Sequence, residues 1–315
     1  MSEKRVVGVM CASGRMGQAQ VRQLLATGHS PRAFSRSWKA VAEEFRSVKA
    51  VAADFGDVES MASAFEGLDA IFSTIPSFAG ANSFQYARNL IDAAKRADVT
   101  RIVHNSAMWA PDTPCGEPLY DLVLELENIF AASGLDVTIF RPVLFMDNLL
   151  TRFQKPDLVG RGLYRYCQRP GLMANWISMD DLAKFMVAAL DRDDLIGRRV
   201  VVGGPQTLAI EEVVSILSEI LGRSITYEYE SPYDLGVRMH GVLGLGDQFP
   251  REAYAEMMRS FYTFNNESAH QPFVVDMATV LKEIPIHMST LREWASRQDW
   301  SLEAKGPVAV GSLAG

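Results

Sequence analysis

Arg5-Val6-Val7-Gly8-Val9-Met10-Cys11-Ala12-Ser13-Gly14-Arg15-Met16-Gly17 is the stretch on which the reading of this chain turns. The apolar run from Val6 to Met10 predicts a buried strand. Small residues follow at once. An amphipathic helix is expected from near Arg15 to about Ala26, with Met16, Val21, Leu24 and Leu25 as its apolar positions. Strand, small-residue turn and helix N-terminus together suit the pyrophosphate of a dinucleotide. The first amides of a helix have no intrahelical partner, and the positive end of its dipole faces the phosphates. Side chains in the turn must be small for the backbone to come close. The usual spacing is glycine, two residues, glycine, two residues, glycine. Gly14 and Gly17 take the second and third places, and Cys11 stands in the first.

Outward from this stretch, strands and helices alternate. Strands are expected at Arg32 to Ser35, Lys49 to Ala53, Ala70 to Ile75, Arg101 to Ser106 and Val137 to Phe140. Helices are expected at Trp38 to Arg46, Val58 to Phe65, Asn82 to about Arg96, and Leu119 to Ala132. Such alternation predicts the α/β class, a doubly wound parallel sheet with helices on both faces and ligands beyond the carboxyl ends of its strands. From about Asn148 the pattern changes to short strands (Leu163 to Cys167, Arg199 to Val202, Ile225 to Glu230) and several helices, one from Ile210 to Leu221 stopped by Gly222. Residues 1–147 are therefore read as the dinucleotide-binding domain. Residues 148–315 are read as a smaller substrate-binding lobe, interleaved with the first, some of whose elements rejoin the sheet.

Composition bounds the function. The chain has 315 residues, 48% of them hydrophobic, and can bury a large core. Its net charge of −7 gives no footprint for nucleic acid or a membrane surface. The N-terminus runs straight into a strand and leaves no room for a signal peptide. Three widely spaced cysteines, Cys11, Cys115 and Cys167, fit a reduced cytoplasmic protein. No cluster of ligating residues calls for a metal. The expected partner is a small-molecule substrate, and the apolar late helices allow a homodimer.

The chain resembles the NmrA-like branch of the atypical short-chain dehydrogenase/reductase family. The residues that carry the resemblance are Cys11 to Gly17, Arg32-Ala33-Phe34-Ser35-Arg36, Asp54, and Ser133-Gly134-Leu135-Asp136-Val137-Thr138-Ile139-Phe140-Arg141-Pro142. Phe145-Met146-Asp147-Asn148-Leu149 and Ile177-Ser178-Met179-Asp180-Asp181 add to it, and the resemblance spans roughly Arg5 to Trp294. It implies a Rossmann domain with a small α/β lobe that closes over the substrate. The family includes NADPH-dependent reductases of quinones, flavonoids and lignans, and also proteins that bind the dinucleotide as a signal.

Which dinucleotide is expected follows from the end of the second strand. An acidic residue there would bond the ribose hydroxyls of NAD. That place holds Arg36, with Lys39 close behind, and a guanidinium can clamp a 2′-phosphate. NADP(H) is therefore the expected cofactor. Arg15 resembles the family's first-turn arginine, which reaches the same phosphate. Asp54 resembles its adenine-side aspartate, with helix N-capping as the alternative role. Cys11, Ser13, Gly14, Met16 and Gly17 would line the pyrophosphate, and Thr74, Ile75, Pro76 and Ser106 the ribose and nicotinamide side. Cys11 is read as a small residue tolerated in a glycine place, with an activated thiol as the alternative.

Catalysis is harder to place. Short-chain reductases commonly use Tyr-x-x-x-Lys on the helix after the fifth strand, and NmrA-like reductases often keep only the lysine. Alignment on Ser133-Gly134-Leu135-Asp136 puts Val123 where the lysine belongs, and the chain has no lysine between Lys95 and Lys155. Tyr120 is the remaining candidate acid, with an ordinary pKa near ~10; pocket lining is its alternative role. His104 is read as a core histidine. Ser106, Trp109, Tyr120, Phe145, Met146 and Tyr164 are the candidate substrate pocket, the aromatics and methionine having core packing as their alternative. The leading function is an NADPH-dependent oxidoreductase of a small, fairly apolar, aromatic carbonyl or conjugated compound. The rivals are a dinucleotide-sensing regulator and a Rossmann scaffold used for non-redox chemistry.

Overall fold

The structure is a computed structural model that describes residues 4–35, 45, 47–76, 82–246 and 249–302. Its first half alternates as β1 (Val6–Val9), α1 (Arg15–Ala26), β2 (Ser30–Phe34), β3 (Lys49–Val51), α2 (Val58–Phe65), β4 (Ala70–Ser73), α3 (Asn82–Arg96), β5 (Arg101–Asn105), α4 (Pro118–Ala131) and β6 (Asp136–Pro142). The helix expected from Trp38 to Arg46 falls almost wholly outside the described residues. The second half adds β7 (Leu144–Phe145), β8 (Leu163–Tyr166), β9 (Met173–Ile177), α5 (Met179–Ala188), β10 (Arg199–Val202), β11 (Thr207–Ala209), α6 (Ile210–Leu221), β12 (Thr226–Tyr229), α7 (Pro232–Leu243), α8 (Arg251–Glu267), α9 (Met277–Glu283) and α10 (Leu291–Ser296).

Seven parallel strands form the central sheet in the order β10-β6-β5-β4-β1-β2-β3. This is the doubly wound Rossmann order, and its switch point lies between β1 and β4, where ligands bind. The inner strands β1, β4, β5 and β6 are buried almost throughout, so β1 and β4 read as near-continuous apolar runs rather than alternations. One face is covered by α1 and α5, through Val21, Leu24, Phe185 and Met186. The other is covered by α2, α3 and α4, through Met61, Phe65, Leu90 and Phe130. A separate core built on Leu149, Tyr164, Trp176, Leu217, Met258 and Trp294 holds the smaller lobe together. The run Ile177 to Asp181 offers two N-caps for α5, Ser178 or Asp180, and it is Ser178 that accepts the amide of Asp181. α6 ends at Gly222, which has φ +62°, the left-handed cap that favours glycine.

Candidate functional site

The turn after β1 is built as its small residues predict. The amide of Gly14 donates to the Cys11 carbonyl at 2.9 Å, and α1 starts at Arg15. A Cβ on Gly17 would lie 2.4 Å from the Cys11 oxygen and 2.6 Å from Ala12 Cα. Only glycine lets the helix press this close to the turn. Cys11 itself has φ +53°, a conformation that costs an L side chain energy and explains why glycine is usual there. Its thiol donates to the Thr74 carbonyl at 3.8 Å, across the switch point. Ser35, just past β2, donates its hydroxyl to that of Ser13 at 2.9 Å. Cys11, Ser13, Gly14, Arg15, Gly17 and Thr74 are thus brought together.

Arg15 is turned toward the chain after β6. Its Nη1 donates to the Asp147 carbonyl at 2.6 Å, while its Nη2 is buried and has no partner among the described residues. Burial pushes its guanidinium down from the usual value, against the pull of Asp147. The Asp147 carboxylate accepts the Met179 amide at 3.0 Å, and burial pushes its pKa up against the pull of Arg15. Met16 and Phe145 pack beside each other against Ala19, Met179 and Ala183. Ile75 is buried and Pro76 half-buried, its carbonyl accepting the Ser83 hydroxyl. Asp54 is exposed and accepts the Gly56 amide at 2.7 Å, whereas Asp57 caps α2. The helix N-cap alternative for Asp54 is therefore corrected, because α2 starts at Val58 and its cap is Asp57. Arg36 and Lys39 lie outside the described residues.

Three expectations for the substrate side change. Tyr120 is 1% exposed, and its hydroxyl donates to Asn265 Oδ1 at 2.5 Å. Burial pushes its phenol far above the value of ~10 expected from model peptides. In this structure it joins α4 to α8, as does Glu117, which accepts the Ser260 hydroxyl at 2.5 Å. The reading of Tyr120 as the acid is replaced by one in which it holds the lobe to the sheet. Met146 and Tyr164, 1% and 2% exposed, belong to the core of the lobe rather than to a pocket wall. Ser106 spends its hydroxyl on the Met108 and Phe140 carbonyls, both at 3.0 Å, and so shapes the turn after β5.

Val123 is fully buried, grouped with Ala110, Leu124 and Met108. The place of the family lysine is apolar in fact as well as in sequence. His104 is also fully buried; its Nδ1 lies 2.8 Å from Ser73 Oγ and its ring stacks on Phe130. Burial pushes its pKa down to about 3, so it stays neutral and structural.

Trp109 remains half-buried beyond the end of β5, where its ring meets those of Tyr120 on α4 and His270 after α8. Tyr120 meets Trp109 edge-on at 4.9 Å and lies 5.1 and 5.6 Å from Phe261 and Phe264. His270 stands 5.9 Å from the Trp109 ring. Phe261, Phe264, Asn265 and His270 escaped the sequence reading; the run of aromatics at 261, 262 and 264 was the available signal. The loop bearing Trp109 is fixed from below. Arg141, buried on β6, makes a forked pair with Glu127 and also donates to Asp112 of the loop at 2.8 Å.

The NmrA-like family model matches residues 3–295. Quinone oxidoreductase 2 of Escherichia coli (strain K12) is 25% identical over 181 residues, 58% of this chain and 61% of that protein. Prestalk A differentiation protein A of Dictyostelium discoideum is 26% identical over 144 residues, 46% of this chain and 44% of that protein. These matches span about half the length of the curated relatives. Among solved structures, the fold is shared with NADPH-dependent quinone oxidoreductase from Escherichia coli complexed with NADPH, at TM-score 0.73 and 23% identity over 92% of this chain and 98% of that one. It is shared equally with NmrA, a negative transcriptional regulator in complex with NAD, at TM-score 0.72 and 19% identity over 95% and 99%.

Proposed function

The chain belongs to the NmrA-like family, and we propose that it is an NADPH-dependent oxidoreductase of a small, apolar, aromatic carbonyl or conjugated compound. The observation that carries the reading is the buried, unpartnered Nη2 of Arg15 at the start of α1. A cationic donor left without an acceptor inside a protein is costly, and a phosphate oxygen at a helix N-terminus relieves it. The Cys11–Gly17 turn would hold the pyrophosphate, joined by Arg15, which the sequence alone set at the 2′-phosphate and which is reassigned because its unpartnered Nη2 stands at the start of α1. Thr74 to Pro76 would hold the ribose side, and Arg36 with Lys39 the 2′-phosphate. The dinucleotide supplies hydride chemistry when bound. The chain's own part is to orient the substrate against Trp109, Phe261 and Phe264 and to keep water out. The quinone reductase among its relatives supports the redox class. The same composition supports a cytoplasmic location.

Two observations favour a second reading, a dinucleotide sensor without catalysis: α4 offers no cation at Val123, and the Tyr120 hydroxyl is committed to Asn265. Calorimetry and turnover separate the two. NADPH should bind more tightly than NADH, Arg36→Asp should erase the preference, and Arg15→Ala should weaken both by about 1.5–3 kcal/mol. Equal affinity of the wild type for both dinucleotides refutes the NADP assignment. Tight NADPH binding with no NADPH oxidation across quinones, enones and aryl ketones selects the sensor.

A further inference from the structure

A recess of about 270 Å³ opens on the smaller lobe, and the β1–α1 turn contributes nothing to its lining. One wall is the turn Arg169-Pro170-Gly171-Leu172. The Leu172 amide donates to the Arg169 carbonyl at 3.1 Å, and Gly171 has φ +74°. Proline second and a left-handed glycine third make a type II turn, which presents Arg169 on a stiff frame. The facing wall is the chain after α8, where the Gln271 amide donates to the Ser268 carbonyl at 3.2 Å and that of Val274 to the Gln271 carbonyl at 2.9 Å. Asn265 and Asn266, 2% and 7% exposed, contribute to the lining between the walls.

The chemistry of the lining is one-sided. Among the described residues that line it, the single charged side chain is Arg169 and none is a carboxylate. The backbone amide of Arg169 donates to Asn266 Oδ1 and its Nε to the Asn266 carbonyl, at 3.1 and 2.7 Å. Its two Nη nitrogens have no partner among the described residues. Glu211, which accepts the Gly171 amide at 3.3 Å, makes no ion pair with Arg169. Apolar surface completes the recess: Met173 and Val274 are 40% and 39% exposed, two of the few large apolar side chains left so open. A fixed guanidinium with spare donors beside exposed apolar surface matches a carboxylate carried on an apolar body.

We propose that this recess is a second ligand site, for a compact aryl or short alkyl carboxylate. Its volume lies just below the ~300–1,000 Å³ of ordinary small-molecule pockets, which limits the ligand to roughly a single ring. Benzoate is the probe, titrated by calorimetry into the intact protein both without NADPH and with NADPH saturating. Binding with a Kd on the order of 1 mM or tighter is expected. Benzamide, which lacks the charge, should bind at least about tenfold more weakly. Arg169→Gln should weaken benzoate by a similar factor, and Met173→Trp, which fills the recess from an exposed position, should abolish it. The proposal is overturned if benzoate does not saturate, if NADPH displaces it, if benzamide binds as well, or if both variants bind benzoate like the wild type.

Discussion

Replacing Cys11 by glycine tests the turn at the centre of the site. Cys11 sits at φ +53°, where an L residue pays roughly 1–2 kcal/mol and glycine does not. Glycine brings a more flexible unfolded chain, which costs about 0.5–1 kcal/mol. The thiol contact with the Thr74 carbonyl, at 3.8 Å, is a weak bond to lose. These effects nearly cancel, so Cys11→Gly should alter stability by no more than about 1 kcal/mol, or ~2–4 °C in Tm. Cys11→Val is the counterpart. A β-branched residue at positive φ is a true outlier, and the cost should reach about 1–3 kcal/mol. NADPH affinity should be equal or better in the glycine variant, because the backbone can approach the pyrophosphate without a side chain between them. Denaturant melts and calorimetry on the three proteins read both quantities. A valine variant as stable as the glycine variant would refute the strain argument. A glycine variant that loses NADPH binding tenfold or more would give the thiol a positive role.

His104, neutral at a pKa of about 3, takes up a proton on unfolding at any pH between there and ~6.5. Its contribution to stability is therefore full above ~6.5 and is lost on acidification at about 1.4 kcal/mol per pH unit; His104→Gln should flatten that slope in melts from pH 6 to pH 4. Val123→Lys would place an ammonium among Ala110, Leu124 and Met108, so it should destabilise by several kcal/mol unless the lysine neutralises. If the variant instead melts like the wild type and gains carbonyl reduction, position 123 opens toward the substrate. Glu127→Gln leaves Arg141 without its buried countercharge and should cost about 3–5 kcal/mol, measured by urea unfolding. A cost below about 1 kcal/mol would mean that Asp112 alone satisfies Arg141.

The local features follow from the order of residues alone. The β1 turn, α1 and the Gly222 end of α6 depend on hydrogen bonds and dihedrals within a few residues, which the side chains there dictate directly. The alternation of strands and helices then leaves few topologies, because parallel strands need right-handed crossovers. The missing cation was legible too, since the absence of a lysine from residues 96–154 needs no structure to see.

What each site residue meets is set by the packing of elements distant in the chain. Tyr120 finds Asn265 from 145 residues away, and Arg15 finds the Asp147 carbonyl from 132. The same packing buries Tyr164 and Met146 in the lobe, and sets Phe261 and Phe264 of α8 near Trp109. Period and propensity say that an aromatic side chain is to be buried, but not against which partner. That choice is made by the docking of whole elements, where shape and the need to satisfy every buried polar group act together.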